Sequence, residues 1–311
     1  MNDLIELVPT APQANLRVDA WLGEVYPAVP KSTLRKWIDA KNVSCKGRIC
    51  AKGDRVMAGC TYQLKGEPAQ QQLQPNADLP LTVVYEDAWL IAVNKPAGMN
   101  CQPNGFDETD TLANALLARW PALAGIGDSP LTCGILHRID GGTSGLVLAA
   151  KSQAVYEAMR AQFAAREVEK HYRALVVGKV SAPGRLEHLL AHNPRCPGRM
   201  VDATQWHDVK RPMRAVTEYR PMHPVRVGEH TCTLLDVTIF TGVTHQIRAQ
   251  LSFSGVPILG DARYGGQLKQ TPFARHFLHA YTATFTHPMT GEVKTLKAPL
   301  TEEYRNVLGH D

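Results

Sequence analysis

The most reactive arrangement in this sequence is an aspartate at the head of a turn of small residues. It occurs in His137-Arg138-Ile139-Asp140-Gly141-Gly142-Thr143-Ser144-Gly145-Leu146-Val147-Leu148, where the turn runs straight into an apolar strand. Adjacent glycines let backbone or ligand approach closely, and Thr143 and Ser144 can hold the loop by local hydrogen bonds. A carboxylate presented this way suits a nucleophile or a general base. Read alone, it equally describes an Asx-turn carboxylate capping a loop. Aspartic protease chemistry needs Asp-Thr-Gly twice and a serine hydrolase needs G-x-S-x-G; the sequence has neither.

A second stretch, Thr244-His245-Gln246-Ile247-Arg248-Ala249-Gln250-Leu251, reads as the start of a helix capped by Thr244 and closed by Gly255. His245 and Arg248 share one face, Ile247 and Leu251 another. An inward Arg248 can hold a carboxylate ionised and aimed; an outward one is a phosphate contact or a solvated helix residue. In Glu169-Lys170-His171-Tyr172-Arg173-Ala174-Leu175, a strand would project Lys170 and Tyr172 to one side. Tyr172 there is a core aromatic or a platform for a base. His188/His192 and His276/His279 have metal-like spacing but no acidic or cysteine company, so no metal is expected.

Elements must position these groups. The chain has 311 residues, 44% hydrophobic and 20% charged, which suits a soluble protein of about two domains. No apolar run approaches a membrane span and the N-terminus lacks a basic signal region, so a cytoplasmic location is expected. Seven scattered cysteines without C-x-x-C read as reduced structural thiols. The net charge of +5 is concentrated: residues 31–65 hold nine Lys/Arg against Asp39 and Asp54. Such a block is a solvated face or a phosphate-contact surface.

Residues 66–80, GEPAQQQLQPNADLP, read as a linker. Before it, residues 15–65 form a compact unit behind an N-terminal extension, residues 1–14. Leu16, Val18, Trp21, Leu22 and Val25 recur with helical spacing, and Ser32 can cap a second helix with Leu34, Trp37 and Ile38 inward. That spacing leaves Lys31, Arg35 and Lys36 largely on its opposite face. After the linker, residues 81–311 mix strands with helices: LTVVYED and WLIAVNK around Asp87, a helix from Asp110, GLVLAA, then HYRALVVG, AVTEYRPM and TCTLLDVTIF. Hairpins interrupted by helices indicate an α+β fold with a mixed, mainly antiparallel sheet and flanking helices. No G-x-G-x-x-G follows a strand, which excludes a Rossmann reading.

Taken together, the segments resemble a known family. HRIDGGTSGLVLAAK is similar to the catalytic signature of the RluA family of pseudouridine synthases, H-R-L-D-x-x-T-S-G-L. VVYEDAWLIAVNKPAGM, with Asn94-Lys95-Pro96-Ala97-Gly98, resembles its first motif; EKHYRAL resembles its K-x-Y segment; THQIRAQLSFSGVPILGDARYGG resembles its third. The N-terminal unit is similar, less regularly, to an S4 RNA-binding domain. One departure stands out: the family's G-R-x-H-Q-I-R has Val243 here in place of the arginine.

The resemblance implies a cofactor-free isomerisation of uridine to pseudouridine in RNA. Asp140 would act on the ribose, as nucleophile at C1′ or base at C2′. Tyr172 would stack on the uracil and take part in proton removal, Arg248 would orient Asp140, and Arg138 would help fill the gap left by the flipped base. His137, Thr143, His245 and Gln246 belong to the same motifs and are expected at the substrate, as are Lys31, Arg35 and Lys36 on the N-terminal unit. A monomer acting on large-subunit ribosomal RNA, away from membranes, is the expectation. The alternatives are a transfer-RNA enzyme and a non-catalytic RNA-binding assembly protein. A glycoside hydrolase lacks a second acid tied to Asp140.

Overall fold

A computed structural model describes residues 4–27, 29, 31–68, 72–206, 208–269 and 273–309. The chain divides into two compact units, one ending at Leu73 and including Asp128–Pro130, the other formed by Gln74–Gly127 and Leu131 onward.

In the first unit, α1 (Val18–Val25) and α2 (Lys31–Asp39) accompany a four-stranded antiparallel sheet of β1 (Leu4–Leu7), β2 (Val43–Cys45), β3 (Arg48–Ile49) and β4 (Tyr62–Lys65), in the order β1-β4-β2-β3. The helical stripe read from sequence becomes its core: Val18, Trp21, Leu22, Leu34 and Ile38 pack with Val43, Tyr62 and Leu64. Lys46 and Gly47, both at positive φ, make the two-residue turn that joins β2 to β3. The segment read as an N-terminal extension is corrected here, since Leu4–Leu7 pairs with Tyr62–Lys65 as the edge strand. Residues 1–3 and 69–71 of the expected extension and linker lie outside the described residues. The later part of the expected linker is docked rather than free: Asn76 donates from its backbone to Asn114 O (3.0 Å) and from its side chain to Thr109 O (2.8 Å).

The second unit contains β5 (Thr82–Glu86), β6 (Leu90–Lys95), α3 (Leu112–Arg119), β7 (Ser144–Ala150), α4 (Gln153–Ala165), β8 (Glu169–Val177), β9 (Gly184–His192) and β10 (Met200–Asp202). It continues with β11 (Met213–Val227), β12 (His230–Ile239), α5 (Gln246–Phe253), β13 (Leu278–Thr286), β14 (Val293–Lys297) and α6 (Glu302–Leu308). The sheet runs β10-β9-β11-β12-β8-β13-β7-β6-β5, with β14 also on β13. Every pairing is antiparallel except β7 with β13. Asp87 closes the first hairpin by accepting from Trp89 N and Leu90 N, both at 2.7 Å. Strand β7 is buried along its whole length, as a continuous apolar run in a central strand must be. Strand β11 runs past the AVTEYRPM segment and accommodates its prolines through a bulge between Pro221 and His223.

Three helix starts differ from the sequence reading, and the first is α2, which begins at Lys31 and holds Ser32 inside it rather than at its cap. Thr111, not Asp110, caps α3, in a reciprocal arrangement with Asn114 that keeps both side chains buried. At α5 the cap position is His245, in the left-handed region at φ 52°, not Thr244. Among the described residues no helix is long and apolar enough to cross a membrane.

Candidate active site

The parallel junction between β7 and β13 brings the site together. Gly145 on β7 pairs with Ala280 on β13, and Ala280 pairs on its other side with Tyr172 on β8. The loop carrying Asp140 enters β7 at this point, so the register sets it and Tyr172 on either side of one residue. Only glycine fits at 145: its φ is +116° and an added Cβ would lie 2.2 Å from the Ala280 carbonyl oxygen.

The Asp140 loop is braced from several sides. Thr143 N donates to Asp140 O (3.0 Å), and Gly98 N donates to Gly141 O (2.8 Å). Buried Lys95 donates to Pro96 O (2.8 Å), Met99 O (2.7 Å) and Gly141 O (3.2 Å). Burial lowers the Lys95 pKa to about 8, against an upward pull from neighbouring Cys101 and Asp140. Beneath the loop, Thr143 is paired with His276 Nε2 (2.8 Å) and Ser144 with His279 Nδ1 (2.9 Å). The His276/His279 pair with metal-like spacing is thus part of the loop's support. Burial pushes both imidazoles down to about 4, so they are neutral bracing groups.

Above this bracing, Asp140 is a quarter exposed and meets Arg248 from α5: Nη1 donates to Asp140 Oδ2 at 2.8 Å. Arg248 is itself gripped by Asp261, with Nε to Oδ2 at 2.7 Å and Nη2 to Oδ1 at 3.0 Å. Asp261 is buried and also accepts from Arg263 N and Tyr264 N, each at 3.2 Å. The two carboxylates hold the Arg248 pKa above its ordinary value although burial opposes this. Asp261 itself is held below the ordinary carboxylate range because its partners outweigh burial. The guanidinium therefore has no freedom to turn away, and one edge of it is committed to Asp140.

Tyr172 is 7% exposed, among Val237, Ile247, Leu278 and Ala280. Burial, reinforced by the charge of Asp140, raises its pKa well above the tyrosine range, so it is a neutral phenol. Arg138, two residues before Asp140, is exposed. His245 reaches the site from the end of α5, with Nε2 3.9 Å from Asp140 Oδ2.

Of the residues expected at the substrate, Gln246 and Thr143 are buried and His137 is half-buried, each with internal partners. Gln246 accepts from Thr241 Oγ1 (2.8 Å) and Val243 N (3.1 Å) and donates to Val216 O and Thr217 Oγ1 (both 2.9 Å), so its amide is fully engaged against β11. Thr143 faces His276, as above. His137 accepts from Leu148 N (3.2 Å) and packs on Phe163, and burial lowers its pKa to about 3. On the first unit Lys31 and Lys36 are exposed, while Arg35 also holds buried Asp19 at 2.8 Å. Val243 packs against Leu190, Met200, Ala215, Ala249 and Tyr264, so apolar packing replaces the expected cation.

Sequence reading gave Lys95 no role beyond its motif and did not single out Asp261. The Gly260-Asp261 pair was visible, but no local spacing links it to Arg248 across a loop.

A buried guanidinium thus aims an aspartate at the mouth of a parallel strand pair, with a buried tyrosine on the next strand. The family described as RNA pseudouridylate synthase matches residues 89–253, and the chain belongs to it. "Ribosomal large subunit pseudouridine synthase D" of Xanthomonas campestris pv. campestris is 33% identical over 95% of this chain and 88% of its own. The proteins of the same name from Pseudomonas aeruginosa and Escherichia coli K12 are each 30% identical, covering 98% and 97% of this chain and 95% and 93% of theirs. Among solved structures, human RNA Pseudouridylate Synthase Domain Containing 1 shares the fold with TM-score 0.59 and 24% identity, over 73% of this chain and 86% of its own. Human RNA Pseudouridylate Synthase Domain Containing 4 does so with TM-score 0.55 and 22% identity, over 73% and 91%.

Proposed function

We propose that this protein isomerises specific uridines to pseudouridine in large-subunit ribosomal RNA. The observation that carries the mechanism is the Arg248–Asp140 pair at 2.8 Å, backed by Asp261. Arg248 gives this part-exposed carboxylate a charged hydrogen-bond partner that fixes its direction. The target uridine is flipped from its stack at a cost of a few kcal/mol. Asp140 acts on its ribose, the N1–C1′ bond breaks, the uracil turns, and C5 bonds to C1′. The C5 proton leaves and N1 gains one. Tyr172 stacks on the uracil as a neutral phenol, so it can pass on the C5 proton only by handing its own to a base, and Asp140 is the carboxylate whose charge it feels. Arg138, exposed two residues before Asp140, takes the space the base vacates.

The ribosomal substrate is supported by relatives of that name matching along nearly the whole chain. The N-terminal unit is an S4-like RNA-binding module: its basic residues 31–65 include exposed Lys31 and Lys36 on α2, suited to phosphates. Seven unpaired cysteines support work in a reducing compartment, the cytoplasm, where a single copy would suffice for the chemistry.

The test is tritium release from C5-labelled uridine in unmodified ribosomal RNA and, separately, transfer RNA. Release from ribosomal RNA that vanishes in Asp140→Asn, with RNA binding nearly intact, is expected. Release from transfer RNA alone moves the substrate class. No release from either RNA or from a precursor ribosomal particle leaves the non-catalytic reading.

A further inference from the structure

The hydroxyl of Tyr264 is buried and has two close neighbours. Met200 N lies at 2.8 Å and can only donate to it; His245 Nδ1 lies at 3.0 Å. The hydroxyl proton has to go somewhere, because leaving a buried O–H unmade costs about 1–3 kcal/mol. Met200 N–H cannot accept it, so it is donated to His245 Nδ1. That leaves the imidazole proton on Nε2, the nitrogen facing Asp140. The imidazole stands edge-on to the Tyr264 ring, and the left-handed backbone at His245 directs it there. Burial lowers its pKa, in keeping with a neutral ring.

Nε2 and Asp140 Oδ2 are 3.9 Å apart, too far to bond directly. A single oxygen can sit about 2.8 Å from both. It would have to accept from the imidazole N–H and donate to the carboxylate at once, and a hydroxyl does both. We propose that His245, locked as an Nε2–H donor by Tyr264, works with Asp140 to recognise a ribose hydroxyl of the flipped nucleotide, the 2′-hydroxyl that distinguishes RNA from DNA. This rests on the reading above that the target uridine binds against Asp140. His245 is then a specificity residue and Tyr264 the positioning residue behind it.

The test compares equilibrium binding of two ribosomal RNA fragments that carry the mapped target position as uridine or as 2′-deoxyuridine. Wild type is expected to bind the deoxy fragment about tenfold more weakly, the worth of one lost hydrogen bond to a charged carboxylate. His245→Phe, which keeps the ring but has no donor, brings the ratio close to one, and Tyr264→Phe, which frees the tautomer, lowers it partway. His245→Gln, which retains an N–H at similar reach, keeps most of it. A merely structural lesion weakens both fragments equally and leaves the ratio at tenfold; that result in His245→Phe with unchanged melting overturns the proposal. So does equal binding of both fragments by wild type, even where Asp140→Asn has lost all turnover. Full turnover by Asp140→Asn overturns the underlying reading, and this one with it.

Discussion

Arg248 donates to Asp140 with one edge of its guanidinium while Asp261 holds the rest, at 2.8 Å on one side and 2.7 and 3.0 Å on the other. The Asp140 carboxylate is therefore oriented by a residue whose own orientation is decided elsewhere. Asp261→Asn is expected to lower turnover by at least tenfold although Asp261 touches no substrate, because the neutral amide cannot grip both edge nitrogens. Arg248→Ala leaves Asp261 buried and unpaired and should cost about 3–5 kcal/mol of stability. Tritium release together with urea unfolding separates the two effects; wild-type turnover in Asp261→Asn would show that the second carboxylate is dispensable.

Tyr172→Phe removes one oxygen from a buried ring that already packs against Val237, Ile247 and Leu278. The variant should fold and bind RNA within about a few tenths of a kcal/mol of wild type, since a conservative core swap is tolerated. Turnover should fall by at least 100-fold. Near-normal release rates would show that the hydroxyl takes no part in moving the C5 proton.

The bracing histidines make acid stability a structural readout. His276 and His279 have ordinary values of 6.5 and are lowered by burial to about 4, so between those values the unfolded chain binds more protons than the folded one. Stability thus falls as pH drops from about 6.5 towards 4, with up to about 3 kcal/mol lost per histidine. Urea midpoints measured across that range check the sign, and His279→Gln, which can still bridge Ser144 and Ala298 O, should flatten the slope. A midpoint constant from pH 7 to 4.5 in wild type would contradict the assignment.

Gly145→Ala is expected to be among the most damaging single substitutions in the chain. Its Cβ would meet backbone, not a movable side chain, at 2.2 Å, at a φ that disfavours alanine. A loss on the order of 3 kcal/mol or more follows, with loss of activity because Asp140 and Tyr172 are registered through the same junction. Thermal melting of the purified variant decides this; a melt within a degree or two of wild type would not be compatible with the parallel pairing.

On the first unit, Lys31→Ala with Lys36→Ala should weaken RNA binding uniformly across sequences. It should also reduce the slope of log affinity against log salt by about one to two. Arg35→Ala should additionally lower stability, because Arg35 shares buried Asp19 with Arg17. An unchanged salt slope in the double variant would remove α2 from the RNA contact.

Local chemistry settled much in advance. The apolar stripe of Val18, Trp21, Leu22, Leu34 and Ile38 repeats with a period only a helix satisfies, and those residues form one core. The Asp87 turn, the continuous apolar run of β7 and the motif around Asp140 are likewise short-range patterns, readable residue by residue. Strands β9 and β14 were not legible, because their half-exposed, polar-rich segments become strands only through their neighbours. Gln246 looked available for a ligand; four partners brought from β11 and the 241–243 loop consumed its amide. The Asp261 grip on Arg248 and the proton that Tyr264 gives His245 depend on contacts 13 and 19 residues apart in sequence. Helical or strand periodicity carries no information across such loops, so residue types could name the reacting aspartate, while only the packed sheet and α5 could decide what aims it and what faces it.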